Sequence, residues 1–244
     1  MRHFKERFSL LVSAARPFHS KMTKKRKYPF SKIRLKIWGS SHTNDNHGVP
    51  PLLDAHLLKS SRYRPAEYDS RGGREFDDGI VDAIKYDIDA SVAREEPFVI
   101  VVCIGTNNIR QEGKAEDILP YFEKLVKHVA NLHRIHLFFC GMIPSPKFDS
   151  TTSGKNFSKA SSLLRKLCTE NSMKATFINL AQIFTHNGII KTEFFSSKDG
   201  VHLTHCKCID KSKCKCKKPL GAELFAQELF NQLEKLPKNK ISYN

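Results

Sequence analysis

Phe98-Val99-Ile100-Val101-Val102-Cys103-Ile104 is an unbroken apolar run that stops at Gly105-Thr106-Asn107-Asn108. A strand wetted on one face alternates apolar and polar side chains. A continuous run rich in β-branched residues instead reads as a strand covered on both faces, as in the middle of a parallel sheet. Residues 135–140 form a second apolar run. Between the two lies an amphipathic stretch, 115–132, with Ile118, Phe122, Leu125, Val126 and Val129 on one helical face. Strand, helix, strand in that order is the crossover unit of a parallel sheet.

The pattern extends in both directions. Residues 33–38 alternate apolar and basic up to Gly39 and read as a first strand. Residues 40–51 are polar and read as a loop, after which Leu52, Leu53, Leu57 and Leu58 share a helical face. Residues 63–68 read as an edge strand weakened by Pro65, and Gly72-Gly73 as a turn. Phe76, Ile80, Ala83, Ile84 and Ile88 space as a helix, with Glu75, Asp77 and Asp78 in its first turn, where acids complement the helix dipole. Beyond the centre come loops at 105–113 and 141–154, a helix over 157–170, a short fifth strand over 175–179 and an irregular stretch over 185–198. A closing helix spans 220–236. The class is therefore α/β, with helices on both faces of a parallel sheet. Ligands of such sheets bind outside the carboxyl ends of the strands.

Chemistry-bearing residues gather at those ends. Ser41 follows the first strand, Gly73 lies in the turn after the second, and Asn107 follows the third. Asp199-Gly200-Val201-His202 comes late in the chain. A serine hydroxyl is a poor nucleophile until a base takes its proton, and an imidazole is suited to that near neutral pH. A carboxylate can hold the imidazole tautomer and stabilise the imidazolium. The oxyanion formed by attack needs preorganised donors, here the Ser41 amide, the Gly73 amide and the Asn107 carboxamide.

In these blocks the chain resembles the SGNH (GDSL-like) hydrolase family over roughly residues 33 to 236. Gly105-Thr106-Asn107-Asn108 and Asp199-Gly200-Val201-His202-Leu203-Thr204 match in order and position. The first block departs, with Gly39-Ser40-Ser41 where the family has Gly-Asp-Ser, so Ser40 stands in place of the aspartate. The resemblance implies a three-layer α/β/α, flavodoxin-like sandwich with a five-stranded sheet in the order 2-1-3-4-5. It implies Ser41 as nucleophile, Asp199 and His202 as its partners, and Ser41, Gly73 and Asn107 as oxyanion donors. The activity it implies is hydrolysis of small-acyl, acetyl-type esters without a catalytic cofactor. A fold of this kind acting as an inactive binding module, or as an acyltransferase with the same triad, would carry the same residues. Similar domains occur in proteins of some non-LTR retrotransposons, and the Gly-Ser-Ser-His start and basic leader fit that setting.

Charge is unevenly placed. The chain of 244 residues carries a net charge of +16, of which residues 1–36 hold +11 and residues 205–218 hold +5. The remainder has 23 basic against 23 acidic side chains, so the body is electrically balanced. Residues 1–32 read as a basic, unstructured leader, and residues 33–244 as the hydrolase-like domain. The leader fits nucleic acid, an anionic membrane or a targeting receptor. Lys24-Lys25-Arg26-Lys27 could serve nuclear import, and the scarcity of acids also suits a mitochondrial transit peptide. No apolar run approaches the ~20 residues of a membrane-spanning helix.

Of seven cysteines, Cys103, Cys140 and Cys168 fall in apolar elements and read as buried thiols. Four more, Cys206, Cys208, Cys214 and Cys216, lie within an insert at 205–218. Without a spread disulfide framework, the set suits a reducing, intracellular compartment, cytoplasmic, nuclear or mitochondrial. The insert's two Cys-x-Cys pairs could close a structural zinc site, with His205 as an alternate ligand. A disulfide-closed hairpin and a plain basic loop remain open alternatives. Because the insert starts soon after His202, its order is expected to bear on the catalytic loop.

Overall fold

The structure, a computed structural model, describes residues 32–44, 48–110, 113–149, 151–205 and 220–241. The expectations for the leader and for Cys206, Cys208, Cys214 and Cys216 lie outside the described residues. The chain forms an α/β/α sandwich around a five-stranded parallel sheet. Its strands are β1 (Arg34–Gly39), β2 (Glu67–Ser70), β3 (Phe98–Cys103), β4 (Ile135–Cys140) and β5 (Ala175–Ile178), in the spatial order β2-β1-β3-β4-β5. Central β3 pairs along its length with β1 and β4, which is why its run carries no polar residue.

The strand residues sort strictly by parity. Trp38, Phe98, Ile100, Val102, Leu137 and Phe139 face one core. That core is closed by α2 (Asp78–Ala93), α4 (Leu119–Val129) and α5 (Thr152–Glu170). Leu35, Ile37, Val99, Val101, Phe138 and Cys140 face the other core, under α1 (Val49–Leu57) and α7 (Gly221–Lys235). Full burial of each such aliphatic or aromatic side chain stabilises by about 1.5–3 kcal/mol. Among the described residues no helix is long and apolar enough to cross a membrane.

Several boundaries move from their expected places. Helix α1 starts inside the expected loop, because Pro50 and Pro51 fit a first helical turn and Gly48, at φ 77°, leads into it. Strand β2 lies later than expected, with Tyr63 making only an isolated bridge to Ile33. Phe76 precedes α2, whose N-cap is Asp77; its carboxylate accepts from the Ile80 amide at 2.8 Å. The expected helix over 115–132 is a 3-10 turn, Ala115–Ile118, and then α4, which starts at Leu119 with Pro120 in its first turn. Thr151 caps α5 five residues before the expected start. The loop after β3 contains a short helix, α3 (Thr106–Arg110). The stretch after β5 holds α6 (Leu180–Phe184) and a small hairpin, β6 (Thr185–His186) with β7 (Ile189–Ile190). Its turn, Asn187-Gly188, has φ of 50° and 79°, the left-handed pair that matches strand twist in a two-residue hairpin.

Candidate active site

Four segments meet at the carboxyl edge of the sheet. The first leaves β1. Gly39 lies so close to the next turn that a Cβ there would fall 1.6 Å from Thr43 Oγ1, so the chain can fold back only through glycine. Ser41–Thr43 then forms a 3-10 turn, with the Thr43 amide donating to the Ser40 carbonyl at 3.3 Å. Thr43 Oγ1 also meets Ser70 Oγ, at the end of β2, at 2.9 Å. Ser40 is buried and Ser41, the first residue of the turn, half-buried.

The second segment is the turn after β2. Gly73 has φ 75°, and a Cβ there would meet nothing within 4 Å. The positive φ by itself favours glycine at this position. Arg74 anchors the turn: its guanidinium donates to the Asp69 carbonyl at 2.7 Å and to the Asp69 carboxylate at 2.5 Å. It also lies over the Trp38 ring at 5.4 Å.

The third segment, α3, is sewn to that turn by two neighbouring carboxamides. Asn107 Nδ2 donates to the Arg74 carbonyl at 2.9 Å. Asn108 accepts from the Phe76 amide at 2.8 Å and donates to the Phe76 carbonyl at 2.9 Å. A carboxamide nitrogen has two hydrogens. The bond to Arg74 uses one and fixes the direction of the other, which is how a side chain becomes a preorganised donor.

The fourth segment carries Asp199 and His202. His202 Nδ1 meets Asp199 Oδ2 at 2.7 Å. Asp199 Oδ1 accepts from the amides of Val201 at 2.8 Å and His202 at 3.0 Å. Burial alone would raise the Asp199 carboxyl. The hydrogen bonds from the His202 ring and from these amides outweigh it and hold the group far below the usual carboxylate range. Asp199 is therefore ionised at neutral pH, and Nδ1 of the neutral ring carries the proton, leaving Nε2 as the basic nitrogen. The His42 ring stands 5.8 Å from the His202 ring, so the residue after Ser41 packs against the imidazole.

Two latches hold this last segment. Ser145 Oγ donates to the Gly200 carbonyl at 2.6 Å, assisted by the Lys147 amide at 3.4 Å. Thr204 joins α7: its Oγ1 accepts from the Gly221 amide at 2.9 Å and its carbonyl from the Ala222 amide at 3.0 Å. Arg74, Asn108 and Ser145 are supporting residues that reading the sequence missed; the only signal for Ser145 was its place between two prolines. Gly73 and Asn107 thus lie in segments bonded to each other, Asp199 and His202 touch directly, and His42, the residue after Ser41, lies beside the His202 ring. A cleft of about 290 Å³, lined by Met142, Ser145, Phe157, Ser161 and Arg165, lies beside this constellation rather than over it. The hydrogen-bond geometry, not the cleft, marks the site. Among the described residues no group of His, Cys, Asp or Glu could hold a metal ion.

No family model matches the sequence, and no curated protein does. Solved structures do. A member of the lipolytic protein G-D-S-L family from Veillonella parvula shares 14% identity over 84% of this chain and 100% of its own, with a TM-score of 0.59. The acetyl xylan esterase AlAXEase shares 15% over 82% of this chain and 100% of its own, with a TM-score of 0.58. A catalytic mutant of Axe2, an acetylxylan esterase from Geobacillus stearothermophilus, shares 9% over 88% and 98%, with a TM-score of 0.55. At such identities the likeness is one of architecture: this chain has the α/β/α fold seen in G-D-S-L lipolytic proteins and acetyl xylan esterases.

Proposed function

We propose that the chain is a serine ester hydrolase that works through an acyl-enzyme on small-acyl, acetyl-type esters. The observation that carries this reading is the contact of Asp199 with His202 Nδ1, at 2.7 Å, on the sheet edge that also carries Ser41. That acetyl xylan esterases share the fold supports the acetyl group.

Ser41 Oγ attacks the ester carbonyl while its proton passes to His202 Nε2, and Asp199 stabilises the imidazolium. The carbonyl oxygen becomes an oxyanion held by the amides of Ser41 and Gly73 and by Asn107 Nδ2. Collapse breaks the acyl–oxygen bond, and the departing alcohol takes the proton from His202. Water then repeats the sequence, with His202 as base, and releases the acid. Substituting an alcohol for water in this second half gives the acyltransferase reaction, which product analysis with added alcohols separates.

The test is hydrolysis of a chromogenic acetyl ester by the purified chain. Ser41→Ala and His202→Ala should each lower kcat by about 1000-fold or more, while Ser40→Ala keeps much of the activity. An active Ser41→Ala beside an inactive Ser40→Ala refutes the nucleophile assignment. A well-folded wild type that hydrolyses nothing leaves the inactive binding fold as the reading.

A further inference from the structure

Between α3 and the Asp199–His202 loop stands one aromatic ring with two cations on it. Arg110, three residues after Asn107, places its guanidinium 5.2 Å from the centre of the Phe148 ring. Lys147 places Nζ 5.8 Å from the same centre, and its own amide reaches the Gly200 carbonyl between Asp199 and His202. The ring is not loose. It packs edge-on against Phe157 at 6.0 Å, and the Phe148 carbonyl accepts from the Thr151 hydroxyl at 2.7 Å.

Both cations are exposed, and among the described residues neither pairs with a carboxylate. Asp149, the acid of the same turn, lines the neighbouring cleft with Ser158 and Arg165. Outside residues 1–36 and 205–218 the chain is electrically balanced, so a doubled positive charge beside the site is a local feature and not a consequence of overall basicity. Two like charges held at one ring repel each other, and an anion bound by either or both offsets that repulsion. A guanidinium forks onto two oxygens of a carboxylate or phosphate, while the ammonium adds a point charge.

We propose that Arg110 and Lys147, held over Phe148, bind a carboxylate or phosphate group borne by the ester that this site hydrolyses; the inference rests on the ester-hydrolase reading. The probes are methyl 4-acetoxybenzoate, 4-acetoxybenzoate and 4-acetoxyphenyl phosphate, offered to the full chain, with rates normalised to spontaneous hydrolysis. At low salt the anionic esters should exceed the neutral one in kcat/KM by about tenfold, the order expected of two surface charges acting on one anion. Which anion gains more identifies the group. The ratio should fall toward one in 1 M salt, where the screening length is about 3 Å. It should also collapse in Arg110→Gln/Lys147→Gln and survive in Arg110→Lys, with thermal unfolding confirming that each variant folds. A ratio near one that ignores salt, with the neutral ester hydrolysed, overturns the inference and leaves the esterase reading standing. Should no ester be hydrolysed, the esterase reading fails, and NMR titration with 4-hydroxybenzoate and its methyl ester still decides the subsite. Equal binding of the two overturns it.

Discussion

Ser145→Ala separates positioning from chemistry in this site. Ser145 is 5% exposed and touches no reacting atom in the proposed mechanism. Its hydroxyl donates at 2.6 Å to the carbonyl of Gly200, the residue whose φ of 61° turns the chain between Asp199 and His202. The other donor to that carbonyl, the Lys147 amide, stands at 3.4 Å and cannot replace it. Losing this bond, to the carbonyl of a half-buried residue, should cost about 1 kcal/mol. In a domain of this size each kcal/mol lowers Tm by about 2–4 °C. The larger effect should be kinetic. A loop that drifts by ~1 Å can cost ~100-fold in rate, so kcat should fall about 10- to 100-fold while KM stays within about twofold. Steady-state kinetics on a chromogenic acetyl ester, beside thermal unfolding, reads both quantities. Ser145→Thr keeps a hydroxyl and should recover part of kcat. A Ser145→Ala enzyme with lowered Tm and unchanged kcat would show that the latch holds the fold and not the acid-base pair. Unchanged Tm and kcat together would refute the reasoning outright.

Asn107→Ala removes both the proposed oxyanion donor and the bond to the Arg74 carbonyl, so kcat should fall about 100-fold or more; an unchanged kcat takes Asn107 out of the site. His136 is fully buried, with Nε2 bonded to Thr176 Oγ1 at 2.8 Å, and burial pushes its ring down from 6.5 to about 3. The unfolded chain therefore binds a proton that the folded chain refuses. Stability should decline as pH falls from near 6.5 toward 3, by up to about 1.4 kcal/mol per pH unit. Denaturant titrations of wild type and His136→Leu across that window test this, and equal slopes contradict it. Replacing residues 206–219 with Gly-Ser-Gly should leave esterase kcat within about threefold, because the bonds from Thr204 to Gly221 and Ala222 already join the flanks. A large loss would show that the insert itself supports the site.

What was legible in the sequence was what burial dictates. The run at Phe98 reads as a central strand, and β3 pairs with β1 on one side and β4 on the other. Local chemistry was legible less evenly. Pro50 and Pro51 looked like loop residues, although proline suits a first helical turn. Asn187-Gly188 is a hairpin signal that went unread, since the strands beside it are two residues each. The positive φ of Gly73 is a backbone property that no sequence pattern shows. The supporting bonds were not legible at all. Ser145 to Gly200 spans 55 residues and Asn107 to Arg74 spans 33, and no local pattern encodes such pairings.

Those long-range bonds also bear on the insert. Its position soon after His202 suggested that its order would govern the catalytic loop. The loop's neighbours argue otherwise. The chain before Asp199 and after His202 closes on itself, with the Ser196 amide donating to the His202 carbonyl at 2.7 Å and the Thr204 amide to the Phe194 carbonyl at 2.8 Å. Thr204 then receives the first amides of α7, and at Gly221 a Cβ would fall 2.3 Å from the Phe194 carbonyl oxygen. Glycine at the start of α7 thus permits the helix to dock directly on the loop that carries the acid-base pair. One side of that loop is fixed by α7 and the other by Ser145, and both anchors are made by residues outside the insert. Whatever chemistry Cys206, Cys208, Cys214 and Cys216 perform, the geometry of Asp199 and His202 has its own support.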